Sequence, residues 1–554
     1  MTLRVKETNS EPTPAQRSRA YFTELDTETA EVQNFLSKSP VRDRDDVEVW
    51  KCRCGVFRTR KPNSGWSNLS SHVVSEHVDW RTETWQLLRE ADSNQDISRI
   101  FIPCKTKRYY SWLDWVVSEG LPFSVVESEV TRCYTNLQPI CFNTFVDLFD
   151  CLKEHMYHQL ESLLGSCFAL IIDAWKSPST NLHYLGIFAM NRSLSSPVFL
   201  SLLPFEAEAG STVFDRMFGT DAVINLIEHS LAMFNKSLAM VACIVADNCP
   251  TMKAVATRIS CGFVGCASHR FQLGVRQFTS HLDTVFRKIN TIMKLLSEPK
   301  RATVLNGFTK LKPKKRNVTR WHSTEAMVRR YIELKDSIVK MIVEAADQEL
   351  LQYLPSSFEE PVLLQALNDL ENLAFVSLQL QREDIDMLSV QRLFASTIDV
   401  YCQENENPEL KEHLTYPASL RARYPENQVH FETAVLKLLR RGECLTEDEK
   451  KWVQCFIEHP NAEPRAGERR LASIKDVFSQ KTIEEGSTYQ DLSWIPPTSN
   501  VVERLFSRVR FIQGLNRHSL SQERLETQVF LSINRHHWDM QLVAKMIVDR
   551  KLDL

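Results

Sequence analysis

Cys167-Phe-Ala-Leu-Ile-Ile-Asp173 is a short apolar run that closes on an acid. Unbroken apolarity over so few residues is the pattern of a strand buried on both faces. Two more strand-like runs follow across short polar turns, His183-Tyr-Leu-Gly-Ile-Phe-Ala189 and Val198-Phe-Leu-Ser-Leu-Leu203. Asp221 to about Asn235 then reads as an amphipathic helix. Met240-Val-Ala-Cys-Ile-Val-Ala246 is a fourth strand, followed at once by Asp247. A helix from about Thr251 to Arg258, a short strand Phe263-Val-Gly-Cys266 and a long helix from about Phe271 to Leu296 complete the series. Strands that alternate with helices in this way predict an α/β fold with a mixed sheet. Two parallel strands that each end in Asp put both carboxylates at one sheet edge, where open α/β sheets bind ligands.

Outward from this core the pattern changes on both sides. Residues from about 325 to 490 show helical periodicity with many charges, as over Val362 to Gln381 and Phe431 to Leu438, and no convincing strand. They predict an all-helical insertion. Pro496-Pro497 breaks the chain before a last helical region over 491–554, with runs at Val501 to Phe511 and Arg524 to Ile533. Upstream, 81–160 reads as a helical linker with the aromatic stretch Tyr109-Tyr110-Ser111-Trp112-Leu113-Asp114-Trp115. The segment 46–80 is compact, and 1–45, rich in Glu, Thr, Ser, Pro and Arg, is expected to be a disordered tail. The core's first part then occupies 161–324.

The chain has 554 residues and a net charge of −3, which leaves room for local basic patches that contact phosphates. Its first residues are polar and charged rather than signal-like, and no apolar run approaches the ~20 residues of a membrane span. The 14 cysteines are scattered, which fits free thiols in a reducing compartment. Only Cys52 and Cys54 sit close enough to share a ligand. With His72 and His77 they give two thiols, a 17-residue gap and His-x₄-His, a pattern for tetrahedral Zn²⁺. Leu69 to His77 would form a short helix carrying both imidazoles. Between the pairs lie Arg58, Arg60, Lys61 and Asn68, side chains able to reach phosphates and base edges.

Asp173 and Asp247 are the hard oxygen ligands that a pair of divalent ions needs, although a single acid at a strand end ordinarily caps the next turn. Lys310-Leu-Lys-Pro-Lys-Lys-Arg316 sets Lys314, Lys315 and Arg316 just before Arg320-Trp321. Clustered cations beside an aromatic suit a DNA backbone next to a distorted base, and the same run suits a nuclear localisation signal.

Taken in order, these segments resemble the hAT family of DNA transposases. Leu121-Pro122-Phe123-Ser-Val-Val126-Glu127 resembles the segment before the family's catalytic core. Asp173-Ala-Trp175 and Asp247-Asn248 resemble its two strand-end acids, Cys266-Ala-Ser-His269 its Cys/Asp-x-x-His motif, and Arg320-Trp321 its Arg-Trp motif. Ser499-Asn-Val-Val-Glu503-Arg504-Leu-Phe506-Ser507 resembles the block that carries the third acid, and the stretch through Asn534-Arg-His-His-Trp538 the C-terminal dimerisation region.

The resemblance implies an RNase H-like core interrupted by a helical insertion, with Asp173, Asp247 and Glu503 holding two Mg²⁺ or Mn²⁺ ions that activate water for strand nicking. A freed 3′-hydroxyl would then attack the opposite strand. It further implies that His269 stabilises the cleaved end and that Trp321 stacks on an unpaired base. The segment 46–80 resembles a BED-type zinc finger, with one residue, Arg53, between its cysteines where the family usually has two. The implied partners are double-stranded DNA, as transposon ends and target, and further copies of the chain in a homodimer or higher oligomer. The implied location is the nucleus. The alternative is a domesticated relative that binds DNA and dimerises, acting in transcription or chromatin without cutting.

Overall fold

The structure is a computed structural model that describes residues 14–25, 48–61, 64–77, 80, 84, 104–178, 180–205, 219–316, 322–345, 347–403, 407–419, 424–441, 443–457, 489–514 and 521–549. The chain divides into two compact units, Met1–Tyr110 with Asp539–Leu554, and Ser111–Trp538. The last helix, Met540–Asp549, thus falls in the first unit rather than with the rest of the expected C-terminal region. Among the described residues no helix is long and apolar enough to cross a membrane.

In the first unit, helix α1 (Pro14–Tyr21) leads into β1 (Phe22–Leu25), which pairs antiparallel with β2 (Glu48–Cys52), itself paired with β3 (Phe57–Arg60). Helix α2 (Ser67–Glu76) follows. Pro14 to Leu25 was expected to belong to a tail. It folds because Tyr21 and Phe22 bury their rings in one cluster with Trp50, Leu69, Val73 and Trp80. Two aromatics outweigh the polar composition around them. Residues 1–13 and 26–45 lie outside the described residues.

The second unit is mixed α/β, built on a five-stranded sheet of order β6-β5-β4-β7-β8. Its strands are β4 (Phe168–Lys176), β5 (His183–Met190), β6 (Val198–Pro204), β7 (Val241–Ala246) and β8 (Gly262–Gly265). The first three form an antiparallel meander, and β7 and β8 run parallel to β4. Helices α3 (Thr220–Ala232) and α4 (Pro250–Arg258) make the crossovers. Phe168 to Ile172 are wholly buried, as the apolar run demands. Asp173 does not end the strand. Pairing of Ala174, Trp175 and Lys176 with β5 carries β4 three residues further.

The helix expected from Phe271 to Leu296 is two helices, α5 (Ala267–Phe278) and α6 (Asp283–Leu296), joined by a 3₁₀ turn at Ser280–Leu282. Thr279 marks the break: its hydroxyl donates back to the Val275 carbonyl at 2.9 Å, a competition that weakens a helix end.

The described residues of 325–490 are mainly helical, as the periodicity predicts, but they belong to the same compact unit as the sheet. Helix α7 (Pro408–Leu414) packs on α5, and α8 (Glu426–Arg440) packs on β8. A Cβ at Gly262 would lie 2.3 Å from the Phe431 ring, so β8 admits α8 only because glycine stands there. Glu432 of α8 accepts from the Gly265 backbone N–H at 3.1 Å and from Ala418 N–H at 2.8 Å, and pairs with Arg270 of α5 at 3.4 Å. Both charged side chains are fully buried, so each would be costly without the other.

After the proline break, α9 (Asn500–Gln513) and α10 (Gln522–Ile533) return to the sheet, α9 against β4 and β5 and α10 against β6. In the aromatic linker Trp112 is fully buried, and its indole N–H donates to the Gln138 carbonyl at 2.9 Å.

Candidate functional site

Three carboxylates approach one another at the end of the sheet. Asp173 and Asp247 stand half-buried on the neighbouring strands β4 and β7, Asp247 just past its strand. Glu503 reaches them from the first turn of α9, exposed. Asp173 Oδ1 accepts from the Ala174 N–H at 2.8 Å, and Asp247 Oδ1 from the Cys249 N–H at 3.3 Å. Burial pushes the Asp173 carboxyl up to about 7, with added repulsion from Asp247 and Glu503. Burial likewise pushes the Cys249 thiol up to about 12, helped by Asp247. The site therefore concentrates negative charge in a partly desolvated place, an arrangement that favours a proton or a cation.

Four contacts hold α9 at the distance this requires. Gly186 is the register partner of Asp173. A Cβ there would come 2.7 Å from Val502 Cγ1 and 3.0 Å from Leu505 Cδ2, so a bare backbone lets α9 settle onto the sheet. Trp175 stacks on Phe506 with centroids 5.4 Å apart and on Tyr184 at 6.0 Å. The buried Ser177 hydroxyl donates to Gln513 Oε1 at 3.0 Å. Cys266 is a packed thiol whose sulfur accepts from the Ser499 N–H at 3.3 Å, one turn before Glu503. Gly186, Ser177 and Gln513 were not singled out from the sequence. Their roles depend on a register and a helix approach that no local pattern encodes.

Gly186→Val is accordingly expected to lift α9 and to cost roughly 2 kcal/mol through overpacking. Urea melts read the loss, and unchanged stability would show that α9 does not sit this close. A second expectation concerns pH. Because the folded-state pKa of Asp173 is raised, its protonated form contributes stability that is fully present below about pH 4. That stability is lost as pH rises through about 7. Asp173→Asn should therefore raise the melting temperature of the chain without divalent ions at pH 8, and much less at pH 5. An equal shift at both values would remove the electrostatic account.

Beside Glu503 lies a cavity of about 690 Å³ bounded by Ser268 and Gln272 of α5, Gln381, Arg382, Arg504 and Ser507. His269 is half-buried on the same first turn of α5 as Ser268. No known family's sequence profile matches this chain, and no curated protein is similar to it. The geometry stands on its own residues.

The first unit carries a second cluster. The ligand atoms of Cys52, Cys54, His72 and His77 all lie within 4.8 Å of one another, the one such group among the described residues. Cys52 Sγ is 3.3 Å from His77 Nε2, and Cys54 Sγ is 3.2 Å from His72 Nε2. A tetrahedral zinc with bonds of ~2.3 Å to sulfur and ~2.0 Å to nitrogen sets such pairs about 3.5 Å apart. The four side chains could hold a metal ion and are compatible with zinc. The one-residue spacer is accommodated by a tight turn: Gly55, at φ +90°, returns its N–H to the Cys52 carbonyl at 2.8 Å. Burial holds the His72 imidazole below its ordinary pKa, which keeps it in the neutral, ligating form.

The residues read from the sequence as DNA contacts divide. Lys314 and Lys315 are exposed. Arg316 is committed to packing: it donates to Asp283 and to Thr324 at 2.9 Å each and lies 5.5 Å over the Phe286 ring. Arg320 and Trp321 lie outside the described residues. Around the thiols Lys61 is exposed and Arg58 half-exposed. Arg60 is spent within the fold, paired with Glu48 at 2.7 Å and stacked 4.1 Å over Trp66. The exposed Asn68 donates to the Thr59 carbonyl at 3.0 Å.

Proposed function

We propose that the chain is a DNA-cutting enzyme of the transposase type, working through divalent ions held by Asp173, Asp247 and Glu503. The observation that supports this best is that Asp247 and Glu503, far apart in sequence, both come near enough to the half-buried Asp173 to act on its charge. Hard oxygen donors with unrelieved negative charge fit Mg²⁺ or Mn²⁺. The three do not form the tight single-ion cluster that the cysteines and histidines form. Two-ion sites hold their ions about 4 Å apart, so their acids need not converge on one point. The ions would supply a nucleophile at neutral pH and neutralise charge on the phosphate. The chain's own part is to keep Asp173 and Asp247 fixed on rigid strands, and to bring Glu503 across on a helix locked by Trp175 and Gly186.

In this reading the five-stranded sheet is an RNase H-like core, the helices of 325–490 are its insertion, and the Cys/His cluster is a zinc finger that reads the DNA ends. Lys314, Lys315, Arg58 and Lys61 remain available for phosphates, and His269, Arg320 and Trp321 keep their assignments at the cleaved end. Dimerisation through the C-terminal region and nuclear location belong to the same proposal. The test is cleavage. With Mg²⁺ or Mn²⁺ the full chain should nick a supercoiled plasmid, and the double variant Asp173→Asn, Glu503→Gln should not. Metal-dependent nicking undiminished in that variant would favour the second reading, a DNA-binding protein with a silent core, or a contaminating nuclease.

A further inference from the structure

At the end of the sheet away from Asp173 and Asp247, four thiols gather. Cys167 precedes β4, Cys243 lies in β7 and Cys261 precedes β8, on three neighbouring parallel strands. Cys455 arrives from the helical region, in the 3₁₀ turn Gln454–Phe456. The four are not drawn within ligand distance of one another as Cys52, Cys54, His72 and His77 are, so they make no second metal cluster. Cys243 and Cys261 are buried, whereas Cys167 is half-buried and Cys455 exposed. The two thiols that a reagent can reach are the two that touch.

Their neighbours hold both in place. Phe168, next to Cys167, is fully buried in β4. Phe456, next to Cys455, buries its ring 6.3 Å from that of Phe431 in α8 and 5.9 Å from that of Trp494. The Phe456 carbonyl accepts from the Gln490 N–H at 2.9 Å, which fixes the turn from its other side. Across 288 residues of sequence, the Cys167 thiol donates to the Cys455 carbonyl at 3.8 Å. As a thiolate, Cys167 accepts from the Cys455 thiol instead. That bond holds the Cys167 pKa below the ordinary thiol value although burial opposes it, and it raises that of Cys455. A thiolate is the form that attacks an oxidant, and a protonated thiol beside it can resolve the product.

We propose that Cys167 and Cys455 are a peroxide-sensitive pair that closes to a disulfide, with Cys167 as the attacking sulfur. The Cys167 thiolate attacks one oxygen of hydrogen peroxide. The O–O bond breaks, a sulfenic acid forms on Cys167, and the departing hydroxide takes up the proton that Cys167 had released. Cys455 then attacks the sulfenic sulfur. The S–S bond forms as the S–O bond breaks, and the Cys455 proton leaves with the hydroxyl as water. Two electrons pass from the pair of thiols to the peroxide, which ends as two waters. The bond ties the helical region to the start of β4, and a dithiol reductant reopens it by exchange. Nothing in this chemistry depends on the cutting reaction at the other end of the sheet.

Peptide mapping of the zinc-loaded full chain tests the pair. The chain is treated with stoichiometric hydrogen peroxide, its free thiols are capped with N-ethylmaleimide, and it is digested without reductant. One peptide pair should then join Cys167 to Cys455, from protein that still runs as a single chain on a denaturing gel without reductant. Dithiothreitol should release the two peptides. In Cys455→Ser the link should be lost and a sulfenic acid should persist on Cys167, captured by dimedone well above the level at the exposed Cys133. In Cys167→Ser, Cys455 should stay unoxidised. The wild-type map needs no variant to fold. Absence of the Cys167–Cys455 peptide pair, or its appearance only in linked dimers, overturns the proposal. Dimedone capture at Cys167 no greater than at Cys133 in Cys455→Ser removes Cys167 as the attacking sulfur and overturns it equally.

Discussion

Stripping zinc from the full chain is expected to unfold the segment from Pro14 to His77. The apolar cluster here rests on Tyr21, Phe22, Trp50, Leu69, Val73 and Trp80, too few side chains to hold three short strands and two short helices alone. Cys52 ends β2, Cys54 sits in the turn after it, His72 lies in α2 and His77 caps it, so one ion would tie the hairpin to the helix. Structural zinc contributes on the order of 10 kcal/mol in comparable small folds, far more than this cluster supplies. Chelation should therefore red-shift the fluorescence of Trp50 and Trp66, whose rings lie 5.4 Å apart, and expose the segment to proteolysis. Cys54→Ser should do the same without chelator. Protection and fluorescence that survive both treatments would reduce the four side chains to a packing cluster.

The second large effect is expected at Asp247. Asp247→Asn keeps the shape of the side chain and its hydrogen bond from the Cys249 N–H, but removes a charge that ions at this sheet end require. Metal-dependent nicking should fall by at least about 10³-fold, equivalent to about 4 kcal/mol of barrier. The fold should hold or tighten, since the repulsion on Asp173 is relieved. If Asp173 holds a metal ion as proposed, a proton competes with it there. Nicking should rise with pH through a midpoint no higher than about 7 and level off above it, and the midpoint should move to lower pH as Mg²⁺ is raised. Full activity in Asp247→Asn, or a pH profile that ignores Mg²⁺, would remove the carboxylates from the chemistry.

Much of this arrangement could be read from the residues, and the reason is periodicity. Phe168 to Ile172 had to be a buried strand, and Val241 to Ala246 likewise, so the acids behind them had to emerge at one sheet end. Glu503 was placed by its motif; nothing in the local pattern says that a helix so far downstream folds back onto β4. What escaped the sequence depends on partners distant along the chain. Gly186 looks like a weak point in a strand until Val502 and Leu505 are set against it. Arg316 and Arg60 look like free cations until Asp283 and Glu48 claim them. Tyr21 and Phe22 sit in tail-like composition, and only the β2 edge makes them core.

Glu503 also sets a clock on synthesis. It is translated about 330 residues after Asp173, and Glu432, which seals the last strand of the sheet, about 260 after it. Asp247 precedes Glu503 by 256 residues, so at ribosomal speeds of ~5–20 residues per second the nascent chain carries its first two acids for roughly 13–50 s before the third exists. A chain released early, anywhere before α9, lacks the third acid of the centre. If the completed site cuts DNA, the order of its parts along the gene ensures that no chain stopping before Glu503 can do so.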